Sequence, residues 1–159
     1  MSDRKKKMDE MVKMEEDYAI SLGKDVTGLG NVTLQGLVAG IAYDSQKHAG
    51  LYKTMASLLD GSPLAATDLE VEEFKANMEK HIEVEERMMQ ESKTLMDSEE
   101  DERVRFLLTE VYADEERHHA FMNNLLNIVV KWETISERDL WEQLWRDVPT
   151  HGAPRDPFA

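Results

Sequence analysis

Six residues on three helix-patterned segments have the types and spacing to do chemistry together: Asp44, His48, His81, Glu85, Glu115 and His118. Each segment contributes one carboxylate and one imidazole three or four positions apart. That spacing puts both on one helix face, about one turn from each other. Each pair interrupts an apolar seam. On the first of these segments Asp44 and His48 sit between Ile41 and Leu51; on the second His81 and Glu85 sit between Met78 and Met88; on the third Glu115 and His118 sit between Val111 and Met122. In an antiparallel helix pair, residues at one level have positions with a constant sum. Turns centred near residues 64 and 99 then put His48, His81 and His118 in one layer and Asp44, Glu85 and Glu115 in the next. The layers are roughly 5–6 Å apart at a rise of about 1.5 Å per residue.

Buried carboxylates without partners are costly, and three in one layer repel each other. A cation must therefore sit among them, and no Lys or Arg lies on the seams at that depth. A metal ion meets the need. Imidazole and carboxylate ligands without sulfur suit iron, manganese or zinc. Two ions about 3.5–4 Å apart, bridged by carboxylates, would make a dinuclear centre. A metal-free network of hydrogen bonds between the same groups is the competing account.

Neighbouring residues leave alternatives open. Asp114 with His118 repeats the spacing of Asp44 with His48, and Glu116 with His119 repeats that of Glu115 with His118. Glu115 is preferred because it continues the central seam, which makes His119 a flanking residue. Glu15 lies on the apolar side of the first segment and is an even choice between ligand and surface; Glu10 reads as solvated surface. Tyr112 lies beside the acid layer and reads as packing. The ten methionines read mostly as core filler. Gly36, Gly40, Ala39, Ala42, Ala49 and Gly50 form a small-residue side that suits close helix packing.

The elements that must position these groups are helical throughout. Strand-like β-branched runs and Asn-Gly hairpin turns are missing. Helix periodicity covers residues 3–23, 32–59, 67–96, 98–132 and 136–147. The punctuation is Asp25-Val26-Thr27-Gly28-Leu29-Gly30-Asn31, then Asp60-Gly61-Ser62-Pro63. Thr67 with Glu70, and more weakly Ser98 with Asp101, have capping-box spacing. Short turns make consecutive helices antiparallel neighbours. The expected fold is all-α, an up-down antiparallel four-helix bundle with a short extra C-terminal helix. It forms a single domain over residues 1–147, followed by a proline-rich tail over 148–159. No repeat of fixed period is visible. The first segment reads as short for a full bundle member, so a homodimer is the expected state.

Composition removes other classes. With 159 residues one domain is expected. A net charge of −14 repels nucleic acid and anionic membranes and tolerates cations. No apolar run reaches the length of a membrane span. The basic run at 4–7 has no apolar stretch behind it, so no secretory signal is expected. The absence of cysteine excludes disulfides, iron–sulfur clusters and thiol catalysis and fits a cytoplasmic protein. Neither a phosphate-binding glycine loop nor a serine nucleophile turn is present.

The segment Ala113-Asp114-Glu115-Glu116-Arg117-His118-His119-Ala120-Phe121-Met122 resembles the last metal-binding helix of ferritin-like and rubrerythrin-like proteins. There a Glu and a His three positions later face the centre of a four-helix bundle, which maps to Glu115 and His118. That family pattern has a second Glu-x-x-His pair and single glutamates on the other two helices. Here Asp44 and His48 are four apart, and so are His81 and Glu85. The latter spacing looks more like hemerythrin-like bundles. The ferritin-like resemblance implies a non-haem di-iron or related centre that reacts with dioxygen or peroxide, as an oxidase or peroxidase, or that handles iron. The hemerythrin-like alternative implies dioxygen binding without turnover. A non-redox zinc bundle is a third possibility.

Overall fold

A computed structural model describes residues 3–61, 68–131 and 137–149. Their regular structure is helical: α1 (Asp3–Thr27), α2 (Val32–Leu59), α3 (Asp68–Ser98), α4 (Glu102–Lys131) and α5 (Glu137–Leu144). The all-α class and the four long helices are as expected. The chain divides into two compact units, Met1–Pro63 and Leu64–Ala159. The expected Thr67 cap, Ser62, Pro63, Trp132, Ser136 and the tail from residue 150 lie outside the described residues.

The first unit is an α1–α2 hairpin. Periodicity ends α1 at Gly23, but the helix runs on to Thr27, whose Oγ1 donates to Lys24 O at 2.7 Å. A single glycine inside a helix costs only about 1 kcal/mol, less than packing against a neighbour returns. At 25 residues α1 is a full-length partner for α2, not a short one. Asn31 begins α2 by accepting the Leu34 N–H on its side chain at 3.1 Å. The Gln35 amide donates back to Leu29 O and holds the turn closed. Asp60 ends the helix, and Gly61 follows at φ 75°, a left-handed conformation that a Cβ would strain. The ion pairs Lys5–Asp60 at 3.2 Å and Lys53–Glu16 at 2.6 Å fix the antiparallel register.

The buried face of α2 is its small-residue side: Ala42, Ser45, Ala49 and Ala56, with Val12 and Ala19 buried on α1. Small side chains let two backbones approach closely. The larger seam of Leu37, Ile41, Leu51 and Met55, read from periodicity as core, stays 43–51% exposed. Two helices can bury only one stripe each, and on α2 the alanine stripe is the one that meets α1.

The second unit is an α3–α4 hairpin with α5 folded back on α4. Ser98 closes α3, with its hydroxyl donating to Thr94 O at 3.0 Å. The cap of α4 is Asp101, which accepts the Arg103 N–H at 2.9 Å and pairs with the Arg103 guanidinium. That guanidinium and the backbone N–H bonds hold the Asp101 carboxyl down at about 2. Arg105 Nη1 reaches back to Glu99 O at 3.4 Å. Across the hairpin the Thr109 hydroxyl meets Met96 Sδ at 3.3 Å. Farther along, Ile128 and Leu144 are buried together with Phe121, Leu125, Trp141 and Trp145 packed around them. Asn124 Nδ2 donates to Leu144 O at 3.1 Å and to Arg146 O at 2.7 Å, which satisfies carbonyls at the end of α5.

The two hairpins follow one plan at an offset of 70 positions. Asn31 and Asp101 cap the second helix of each. Gln35 and Arg105 reach back to the carbonyls of Leu29 and Glu99. This is a repeat of fixed period that residue types conceal, because equivalent positions share a role more often than an identity. Replacing Asn31 by Ala should lower the unfolding free energy by about 1 kcal/mol in urea denaturation, while Asn31→Asp should leave it nearly unchanged.

Candidate metal centre

Within the α3–α4 hairpin, Glu85 faces Glu115 and His118 across the helix interface. His118 Nδ1 lies 3.9 Å from Glu85 Oε1 and 3.7 Å from Glu115 Oε2. One ligand atom from each of the three lies within 4.8 Å of the other two. Ligands 2.0–2.2 Å from a common ion are at most about 4.4 Å apart, so a few tenths of an ångström close the set. Glu115 is 9% exposed and Glu85 half-buried, while His118 stands at the open edge. One oxygen of each carboxylate, Glu85 Oε2 and Glu115 Oε2, is buried without a hydrogen-bond partner. Unsatisfied buried carboxylate oxygens beside an imidazole nitrogen are what a cation would satisfy.

The choice among neighbouring acids follows from local pairing. Asp114 forms an ion pair with Arg117 one turn on and stays exposed, so Glu115 is the acid that enters the interface. Tyr112 is half-buried and sits against Glu116. Burial first, and the Glu116 charge second, raise its hydroxyl pKa. His119 is half-buried, and its Nδ1 is buried without a hydrogen-bond partner. His81 is exposed on α3 and lies outside the cluster.

Asp44 and His48 belong to the α1–α2 hairpin. Asp44 is exposed and pairs with Lys47 at 2.6 Å, the same one-turn pairing that Asp114 makes with Arg117. His48 Nδ1 lies 3.5 Å from Glu15 Oε1. Glu10 stays on the surface, 3.9 Å from Lys7. Glu15 rather than Glu10 meets His48 because α1 continues to Thr27. The extra turn moves the level by about one helical turn from that of a short α1. Among the described residues, Glu85, Glu115 and His118 are the acid–histidine group able to hold an ion. What sequence reasoning misses is that buried Ser45 is the counterpart of buried Glu115. The 70-position offset that pairs Glu15 with Glu85 and His48 with His118 is the signal that finds it.

Burial, and then the adjacent Glu115 carboxylate, push the Glu85 pKa from an ordinary 4.5 up to about 7. A raised carboxyl pKa means that the folded state holds the proton more tightly than the unfolded chain. Metal-free protein should therefore lose stability as the pH rises from about 4.5 through about 7. Glu85→Gln should flatten that slope, as read from urea midpoints in the presence of a chelator. No protein-family model, curated protein or solved structure matches this chain.

Proposed function

We propose that the protein is a metal-binding helical protein of ferritin-like character, with Glu85, Glu115 and His118 as ligands of a first-row metal ion. Its expected activity is redox chemistry with dioxygen or peroxide, or iron handling. The observation that supports this reading is the convergence of two carboxylates, Glu85 and Glu115, on the His118 imidazole at a buried helix interface. Two carboxylates to one imidazole is an oxygen-rich set, which favours iron or manganese over zinc. It also departs from the three-imidazole layer on which the oxygen-carrier and zinc alternatives rest.

A bound iron or manganese ion would supply electron exchange and an open coordination position for a small oxidant. The protein's own contributions are positional and electrostatic. Glu115 is held in the interface by its burial on α4. Glu85 approaches from the opposite helix, and its proton leaves as positive charge arrives, so binding strengthens as the pH rises. His118 stands at the exposed edge, where an ion enters from solvent. The net charge of −14 raises the local concentration of cations at that edge.

Protein purified without added metal should carry about one iron or manganese ion per chain by elemental mass spectrometry. Glu115→Gln and His118→Ala should each weaken binding by about tenfold or more. Stoichiometric zinc with a colourless protein would favour the non-redox alternative. No metal as purified, and none after reconstitution, would end the metal reading.

A further inference from the structure

We propose that Ser45 sets how many ions one chain takes up: the protein is a tandem pair of the same hairpin, and only the second copy keeps a complete ligand set. This rests on the metal reading above and adds its stoichiometry and the residue that decides it.

The equivalence is geometric as well as sequential. At an offset of 70 positions, Glu15 corresponds to Glu85, Ser45 to Glu115 and His48 to His118. The first and last of these make the same contact in each hairpin, His48 to Glu15 at 3.5 Å and His118 to Glu85 at 3.9 Å. The same offset aligns the caps Asn31 and Asp101 and the outward pairs Asp44–Lys47 and Asp114–Arg117. Features at the turn and in the middle of each hairpin thus agree without an insertion. The middle position is interior in both copies, with Ser45 4% exposed and Glu115 9%.

The two copies differ in what occupies that interior position. In the second, Glu115 adds a second carboxylate beside the one His118 imidazole, so acids outnumber the base there. In the first, Ser45 is neutral, and Glu15 and His48 satisfy one another as a carboxylate–imidazole pair. Two protein ligands hold a divalent ion poorly against water, whereas three make the usual open site. The serine hydroxyl is a poor ligand for such ions beside carboxylate or imidazole. The first hairpin therefore keeps the scaffold of the site without its capacity, and position 45 is the determinant.

Cobalt(II) titrated into the full chain, followed by visible absorption and calorimetry, tests this. The wild-type protein should bind one ion, lost in His118→Ala. Ser45→Glu should bind two, the additional one lost when His48→Ala is added. The exchange variant Ser45→Glu/Glu115→Ser should bind one ion that depends on His48 instead of His118. Should Ser45→Glu fail to fold by circular dichroism, Glu115→Ser alone decides: it should fold and bind no cobalt, and retained binding would overturn the inference. Two ions on the wild type, or one on a folded Ser45→Glu protein, would overturn it and leave the metal reading standing. A wild-type protein that takes up no cobalt would remove both.

Discussion

Two carboxylates meet at the interface of two helices, and much of the second hairpin can be understood from how that meeting is tolerated. Glu85 and Glu115 approach from opposite sides, where burial weakens hydration and like charges repel. The meeting requires register. The Asp101 cap sets where α4 begins, and the Thr109 hydroxyl touches Met96 Sδ across the hairpin farther along. It also requires selection among three consecutive acids, 114–116. Arg117 draws Asp114 outward and Tyr112 stands against Glu116, so Glu115 is left to occupy the inside.

The first hairpin shows the same scaffold under milder constraint. Its α2 interface is built of alanines and one serine, and its single inward-leaning acid meets an imidazole. Nothing in that interface demands an added cation. The contrast turns on one interior position, a neutral serine in the first hairpin and a second carboxylate in the other.

Much of this was legible in the residues. The bounds of α2 follow from strong local punctuation, Asn31 before it and Asp60-Gly61 after it. The end of α1 was not legible, because Gly23 marks a break only when packing does not carry the helix past it. Ser98 with Asp101 reads as one capping box opening α4, whereas Ser98 closes α3 and Asp101 itself is the cap; spacing alone does not tell the residue that closes one helix from the one that opens the next. Glu85, Glu115 and His118 come together at one level as their positions imply, because level depends only on helical rise and a short turn. His81 was not separable from them, since a level deduced this way is about one turn wide. The apolar seam of α2 differs from its sequence reading for another reason. Periodicity tells which positions are apolar, but not which apolar stripe a single partner helix will cover. The repeat is hidden in the sequence because its most informative pair, Ser45 and Glu115, differs in identity and agrees only in burial.

The aromatic cluster between α4 and α5 gives the second hairpin an optical property. The rings of Phe121 and Trp145 lie 5.2 Å apart, and Trp141 packs edge-on against Trp145 at 6.0 Å. Phe121 is three residues beyond His118, a rise of about 4.5 Å along the helix. The indole cluster thus packs on α4 about one helical turn from His118. Were an open-shell ion held there, energy or electron transfer to it would shorten the indole excited state. Occupancy of the proposed site could then be followed by tryptophan lifetime without any label.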